Sequence, residues 1–172
     1  GTRNRAQLHY FAPDAGLFSQ PDINAFLKTY MPERRGIDIT WQHRLAAIDP
    51  GARTATFATP DGLRTLDYDF IHVVPPMTAP DAVANSPLAW REGPFSSGGW
   101  LEVDRYTLQH RRYPNVFGVG DVVGTPIGKT AASVKAQTPV VVANLLSVIK
   151  GAELSGRYNG YTSCPLITEI GQ

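Results

Sequence analysis

Tyr113-Pro114-Asn115-Val116-Phe117-Gly118-Val119-Gly120-Asp121 is followed, six residues on, by Gly128-Lys129-Thr130-Ala131-Ala132-Ser133-Val134-Lys135-Ala136-Gln137. The first block predicts a short strand, Val116 to Gly120, ended by Asp121. The second opens a helix that runs from Thr130 to Ile149, apolar on most faces and therefore expected to be buried. Pro139 lies inside that helix and should kink or restart it, and Gly151 ends it. A strand handing over to a long buried helix is an α/β signature, and the rest of the chain reads the same way.

Working outward, Ala6 to Ala12 predicts a strand, broken by Pro13-Asp14-Ala15-Gly16. Pro21 and Asp22 mark a helix start. Ile23, Phe26, Leu27, Tyr30 and Met31 then keep one helical face, and Pro32 and Gly36 are expected to end it. Ile37, Ile39 and Trp41 alternate with polar residues, as a half-buried strand does. The turns Asp49-Pro50-Gly51 and Pro60-Asp61-Gly62 separate Thr54–Thr59 from Leu63–Tyr68, which predicts a β-meander. Phe70-Ile71-His72-Val73-Val74 is a continuous apolar run suited to a central strand covered on both faces, with His72 a satisfied core residue. Residues 76–99 have little periodicity and are expected to be a crossing between domains, with Trp100 to Asp104 the next strand.

The chain has 172 residues, 42% hydrophobic and 18% charged, which excludes a disordered chain. Lys plus Arg is 16 against 15 Asp plus Glu, a net charge of +1, and this gives no footprint for nucleic acid. One Cys excludes an internal disulfide or a multi-cysteine metal site, and the four histidines show no metal-ligand spacing, so no metal is expected. The longest uncharged stretch, Ala136 to Ile149, is shorter than the roughly 20 apolar residues of a bilayer span. The chain begins at Gly1 without an initiator Met or a signal-peptide pattern. It stops at Gln172 just after an apolar run, which reads as a piece of a longer protein.

Three places could carry chemistry. Gly118-Val119-Gly120-Asp121 closes a strand, where a glycine such as Gly120 lets a ligand approach the backbone and the Asp121 carboxylate can accept from sugar hydroxyls; the same four residues also make a common turn. Lys129, Thr130 and Ala131 open the long helix, where free N–H groups, a partial positive charge and an ammonium suit an anion; Thr130 could equally be an N-cap with Lys129 solvated. Cys164, in Tyr161-Thr162-Ser163-Cys164-Pro165, is either a small hydrophobe or a nucleophile. His110-Arg111-Arg112 reads as a solvated turn. No Gly-x-Gly-x-x-Gly occurs, so the chain has no phosphate cradle of its own.

The joint order of these blocks, ending in Tyr158-Asn159-Gly160-Tyr161-Thr162-Ser163-Cys164-Pro165-Leu166-Ile167-Thr168, resembles the sulfide:quinone oxidoreductase branch of the FAD-dependent pyridine nucleotide-disulfide oxidoreductases. His72-Val73-Val74-Pro75-Pro76-Met77 is similar to the same family. The resemblance covers residues 6 to 172. It implies a partial two-domain Rossmann-like flavoprotein fold. Residues 1–75 would be the C-terminal part of the second, NAD-domain-like unit, 76–99 a crossing segment, and 100–172 the returning part of the FAD domain. It also implies a flavin-dependent oxidoreductase that takes electrons from sulfide through FAD to a quinone, with peripheral membrane contact in the intact protein. Cys164 would form a sulfur bridge with an upstream cysteine that sulfide attacks. Asp121 would hold a ribityl hydroxyl, and Lys129 with the N–H groups of Thr130 and Ala131 would face the pyrimidine end of the flavin. The piece alone is expected to lack FAD and activity, and to self-associate through its apolar helix. Rival readings are the flavoprotein subunit of a flavocytochrome c sulfide dehydrogenase, a type II NADH:quinone dehydrogenase, which needs no cysteine, and a non-catalytic flavin-fold module.

Overall fold

Leu8–Phe11 (β1) and Ile37–Thr40 (β2) pair in parallel, Leu8 opposite Ile37 and Phe11 opposite Thr40. A parallel pair needs a crossover, which the helix Pro21–Arg35 (α1) supplies. These and the elements below come from a computed structural model that describes residues 5–169. The described residues fall into two units, dividing between Val74 and Pro75.

In the first unit α1 begins with Pro21 in its first turn and Asp22 close behind. It does not stop at Pro32 as the sequence suggests. A proline clashes with the turn before it and leaves the turn after it intact, so the helix continues to Arg35. Gly36 caps it in the left-handed region (φ 56°), its N–H bonding to Pro32 O at 3.0 Å. The meander forms as Arg44–Asp49 (β3), Thr54–Thr59 (β4) and Gly62–Asp67 (β5), antiparallel in that order. Asp49 Oδ1 accepts from Gly51 N–H and Ala52 N–H, each at 2.9 Å, and so fixes the first turn. Alternate residues of β4 point inward: Ala55 and Phe57 are buried. The Phe57 ring stacks on Phe11 at 4.4 Å between centroids, with His43 beside both.

The apolar run Phe70–Val74 is not the central strand expected. Phe70 is 85% exposed and Val74 82%, His72 is also exposed, and no strand pairs with the run among the described residues. An apolar run becomes a strand only where neighbours supply a ladder and cover its faces.

The second unit contains the short helix Asp81–Ala84 (α2), a 3-10 turn Gly120–Val122 and the long helix Ala131–Ile149 (α3). Residues 76–99 hydrogen-bond within this unit: Ala79 N–H to Gly98 O, Trp90 N–H to Trp100 O, and Trp90 Nε1–H to Gly124 O at 3.0 Å. The strands expected at Trp100–Asp104 and Val116–Gly120 are single bridges instead, Ala89 with Leu101, Leu101 with Val123, Val103 with His110 and Gln109 with Phe117. Leu101, Val103, Leu108, Val123 and Tyr158 form the core.

The basic cluster is not a solvated turn. His110 is buried: its Nδ1 accepts from Arg112 N–H at 3.0 Å and Tyr113 N–H at 3.2 Å, so the ring is neutral with its proton on Nε2, facing Leu88 O at 3.0 Å. The Arg112 guanidinium pairs with buried Glu102 and reaches the carbonyls of Pro87 and Ala89.

The largest departure is α3. Its inward residues are Ser133, Gln137, Asn144 and Ser147, while Val142, Leu145, Leu146 and Ile149 are exposed. The helix expected to be buried for its apolarity buries its polar stripe. By length and composition α3 could span a bilayer. Its polar stripe, however, is bonded to the backbone of neighbouring loops, bonds that a helix alone in lipid would not have. Pro139 does not end it, and Thr138 Oγ1 donates back to Val134 O at 2.8 Å.

Candidate functional site

Gly118 is a packing position: a Cβ there would lie 2.4 Å from Leu101 Cδ2 and 2.7 Å from Val123 Cγ1. The chain then turns at Gly120, whose φ of 80° favours glycine, and Gly120 N–H donates to Gln137 Oε1 at 2.8 Å. That amide is therefore committed to α3. Asp121 follows with an exposed side chain.

Lys129 folds back over this turn. Its ammonium donates to the carbonyls of Asp121 and Val123, the latter at 3.0 Å, and lies 3.7 Å from the centroid of the Trp100 ring. Burial lowers its pKa below the usual lysine range, with the Asp121 charge opposing the shift. It is not the solvated lysine of one sequence reading. Thr130 is the N-cap of α3, its Oγ1 accepting from Ser133 N–H at 3.1 Å. Ala131, exposed, is the first residue of the helix, where amides have no intrahelical acceptor.

The cysteine segment reaches the same place. Tyr158 is buried, with its N–H on Tyr106 O at 2.7 Å and its hydroxyl donating to Tyr161 O at 2.5 Å. Asn144, fully buried, holds Gly156 from both sides: its Oδ1 accepts from Gly156 N–H at 2.7 Å and its Nδ2 donates to Gly156 O at 3.0 Å and to Thr107 O at 2.8 Å. Thr162 Oγ1 then lies 3.1 Å from Thr130 Oγ1 and 2.8 Å from Ser133 Oγ, which also donates to Gly128 O at 2.8 Å. Cys164, free and exposed, follows two residues later.

The structure thus gathers Gly120, Asp121, Lys129, Thr130, Ala131 and the approach to Cys164 around one end of α3. Its organisers, Ser133, Gln137, Asn144 and Thr162, were missed by the sequence reading. The signal was present: polar residues at 133, 137 and 144 recur on one face of an otherwise apolar helix. The recess between these residues is too narrow to admit a water molecule. A hollow of about 620 Å³ lies instead in the first unit, lined by Trp41, His43, Asp61 and Arg64 among others, and none of the flagged residues borders it. The site's donor set suits a flavin nucleotide: an exposed carboxylate acceptor at Asp121 for sugar hydroxyls, and first-turn amides of α3 for the acceptor-rich end of the ring. Lys129 fits only as a nearby charge.

No established family profile matches the chain. It is 39% identical over 168 residues to the mitochondrial sulfide:quinone oxidoreductase of Dictyostelium discoideum, and 38% identical over 173 residues to that of Schizosaccharomyces pombe. These alignments cover 98% and 99% of this chain and 36% of each relative, so the chain spans about a third of their length. An FAD-dependent oxidoreductase of Flammulina velutipes is 32% identical over 74 residues, covering 43% of this chain and 23% of that protein. Among solved structures, a chain of the Tetrahymena thermophila mitochondrial ATP synthase superposes with a TM-score of 0.75 at 26% identity, over 92% of this chain and 37% of that one. The sulfide:quinone oxidoreductase of Aquifex aeolicus superposes with a TM-score of 0.72 at 20% identity, over 88% of this chain and 37% of that one. The class these likenesses define is the FAD-type oxidoreductase fold. Within it, the chain is a homologue of the sulfide:quinone oxidoreductases.

Proposed function

We propose that this chain supplies the flavin-facing helix end and the reactive cysteine of an FAD-dependent enzyme that oxidises sulfide and reduces a quinone. One observation supports the reading beyond homology: the hydrogen bonds of Thr162 to Thr130 and Ser133 join the segment that carries Cys164 to the N-terminal end of α3. FAD, when bound, supplies the two-electron transfer from sulfide sulfur to the quinone. Asp121 accepts from its sugar chain, and the N–H groups of Thr130 and Ala131, with Lys129 as a nearby charge, face its pyrimidine end. Cys164 supplies a sulfur that bridges to a cysteine outside this chain; sulfide attack would break that S–S bond to leave a persulfide on one sulfur and a thiolate on the other, whose two electrons would pass to FAD. Residues to about 75 complete an NAD-domain-like unit, and residues from about 100 return to the FAD domain. The relatives' mitochondrial names and the quinone substrate favour peripheral contact with a membrane. The apolar face of α3 drives self-association when the chain is alone.

The test uses the full-length flavoprotein containing this chain. Cys164→Ser is expected to cut sulfide-dependent quinone reduction by roughly 100-fold or more with flavin retained, because a hydroxyl near neutral pH is a far poorer nucleophile than a thiolate. Asp121→Ala is expected to reduce flavin content. Near-normal sulfide turnover in Cys164→Ser would overturn the assignment, and a yellow, stoichiometric FAD complex of the 172-residue chain alone would overturn the need for the rest.

A second reading, a non-catalytic module of the same fold, is favoured by one observation, the likeness to a chain of an ATP synthase. Full-length protein that neither retains flavin nor oxidises sulfide would select it.

A further inference from the structure

We infer that Thr162 is the positioning residue for Cys164, a latch that fastens the cysteine segment to the N-terminus of α3; this rests on the proposed sulfide chemistry at Cys164. The segment is pinned in steps, at Gly156 by Asn144, at Tyr158 by Tyr106 and at Thr162 by hydroxyls. Thr162 Oγ1 lies within 3.1 Å of two hydroxyl oxygens and 3.5 Å from Gly128 O. Three hydroxyl protons, of Thr130, Ser133 and Thr162, are shared among their own oxygens and that carbonyl. Thr130 and Ser133 are themselves tied by the helix cap, so the oxygens that Thr162 meets are fixed by backbone geometry. Beyond Thr162 the chain from Ser163 to Ile167 is exposed. The hydroxyl contact is thus the last anchor before the sulfur, and the single residue between, Ser163, leaves it little reach.

The latch predicts a separation that a packing role would not. Thr162→Val keeps shape and β-branching but can neither donate nor accept, whereas Thr162→Ser keeps the hydroxyl and loses a methyl. In the full-length flavoprotein, Thr162→Val is expected to lower kcat for sulfide oxidation about 10-fold, since small misplacements of a reacting group carry costs of that order. KM for quinone and flavin content should stay unchanged, and Thr162→Ser should restore kcat. Equal losses in both variants, or an unchanged kcat in Thr162→Val, would overturn the latch.

A second measurement is independent of activity. Cys164 is the chain's single cysteine, so a nitroxide spin label on the 172-residue chain reports on it alone. The label's mobility should rise roughly threefold in Thr162→Val and not in Thr162→Ser, as for a loop freed on the nanosecond scale. Unchanged mobility in Thr162→Val would overturn the latch. If the label loosens while the full-length wild type oxidises no sulfide, the latch stands and the proposed activity falls. If sulfide is oxidised while Thr162→Val changes neither readout, the activity stands and the latch falls.

Discussion

The inward face of α3 carries Ser133, Gln137, Asn144 and Ser147, and its outward face carries Val142, Leu145, Leu146 and Ile149. Hydropathy alone would turn the helix round. The difference lies in what each side chain meets. The inward amides and hydroxyls close open backbone groups at four places in the neighbouring loops, Gly120, Gly128, Thr107 and Gly156. Leaving such groups buried and unpaired costs more than exposing a few apolar side chains. Ala136, Val140 and Val141 add apolar contact at the flanks of the same face. The inward face therefore shapes the site, and the outward face is the surface on which more protein is expected to pack.

The sharpest way to break this comparison is Asn144→Leu. It removes three hydrogen bonds at a fully buried position and is expected to cost about 3 kcal/mol or more, read as a lowered urea midpoint of the 172-residue chain. A gain in stability would mean that the inward face tolerates apolar residues. Gln137→Leu leaves Gly120 N–H without its acceptor and should cost about 1–3 kcal/mol. It should also weaken flavin retention in the full-length protein, because Asp121 follows that turn.

Next in size is a pH effect in the loops beneath α3. Burial, helped by the Arg112 charge, lowers the His110 pKa against the opposing pull of the Leu88 carbonyl and Glu102. The folded ring is neutral, while an unfolded histidine takes its proton near pH 6.5. Stability from His110 is thus complete above about 6.5 and is lost as pH falls from there through the ring's lowered value. Urea midpoints between pH 8 and 5 should fall less in His110→Gln than in the wild type. Smallest of all is the double change Leu145→Ser and Leu146→Ser on the outward face. It should move stability by under about 0.5 kcal/mol, as exposed substitutions do, while sharply reducing self-association in sedimentation. A large loss of stability there would end the distinction between the two faces.

Much of this was legible beforehand. The cap at Thr130, the meander around Asp49 and Gly62, and the two strands on either side of α1, though not their parallel pairing, follow from local chemistry that acts within a few residues. Phe70–Val74 and the exposed side of α3 were not, because burial depends on what lies opposite, and an apolar run is only a request for a partner. The packing of Lys129 was not legible for a similar reason. Its sequence position shows a charge at a helix start, but its direction is set by the carbonyls of Asp121 and Val123 and by Trp100, a residue 29 positions earlier in the chain.

The β1–β2 pair has a consequence for how the chain behaves at high concentration. Each of its strands has an outer edge with no ladder partner among the described residues, and Leu8 and Tyr10 of β1 are exposed. Such an edge is a template for another strand, and an exposed apolar run such as Phe70–Val74 of a neighbouring molecule is a suitable guest. Assembly by this route is directional and proceeds through backbone amides, so it can grow into fibres where a greasy patch would stop at a small cluster. Samples stored warm should therefore develop dye-binding cross-β aggregates even after α3 has been made polar, and a proline within Phe70–Val74 should delay them.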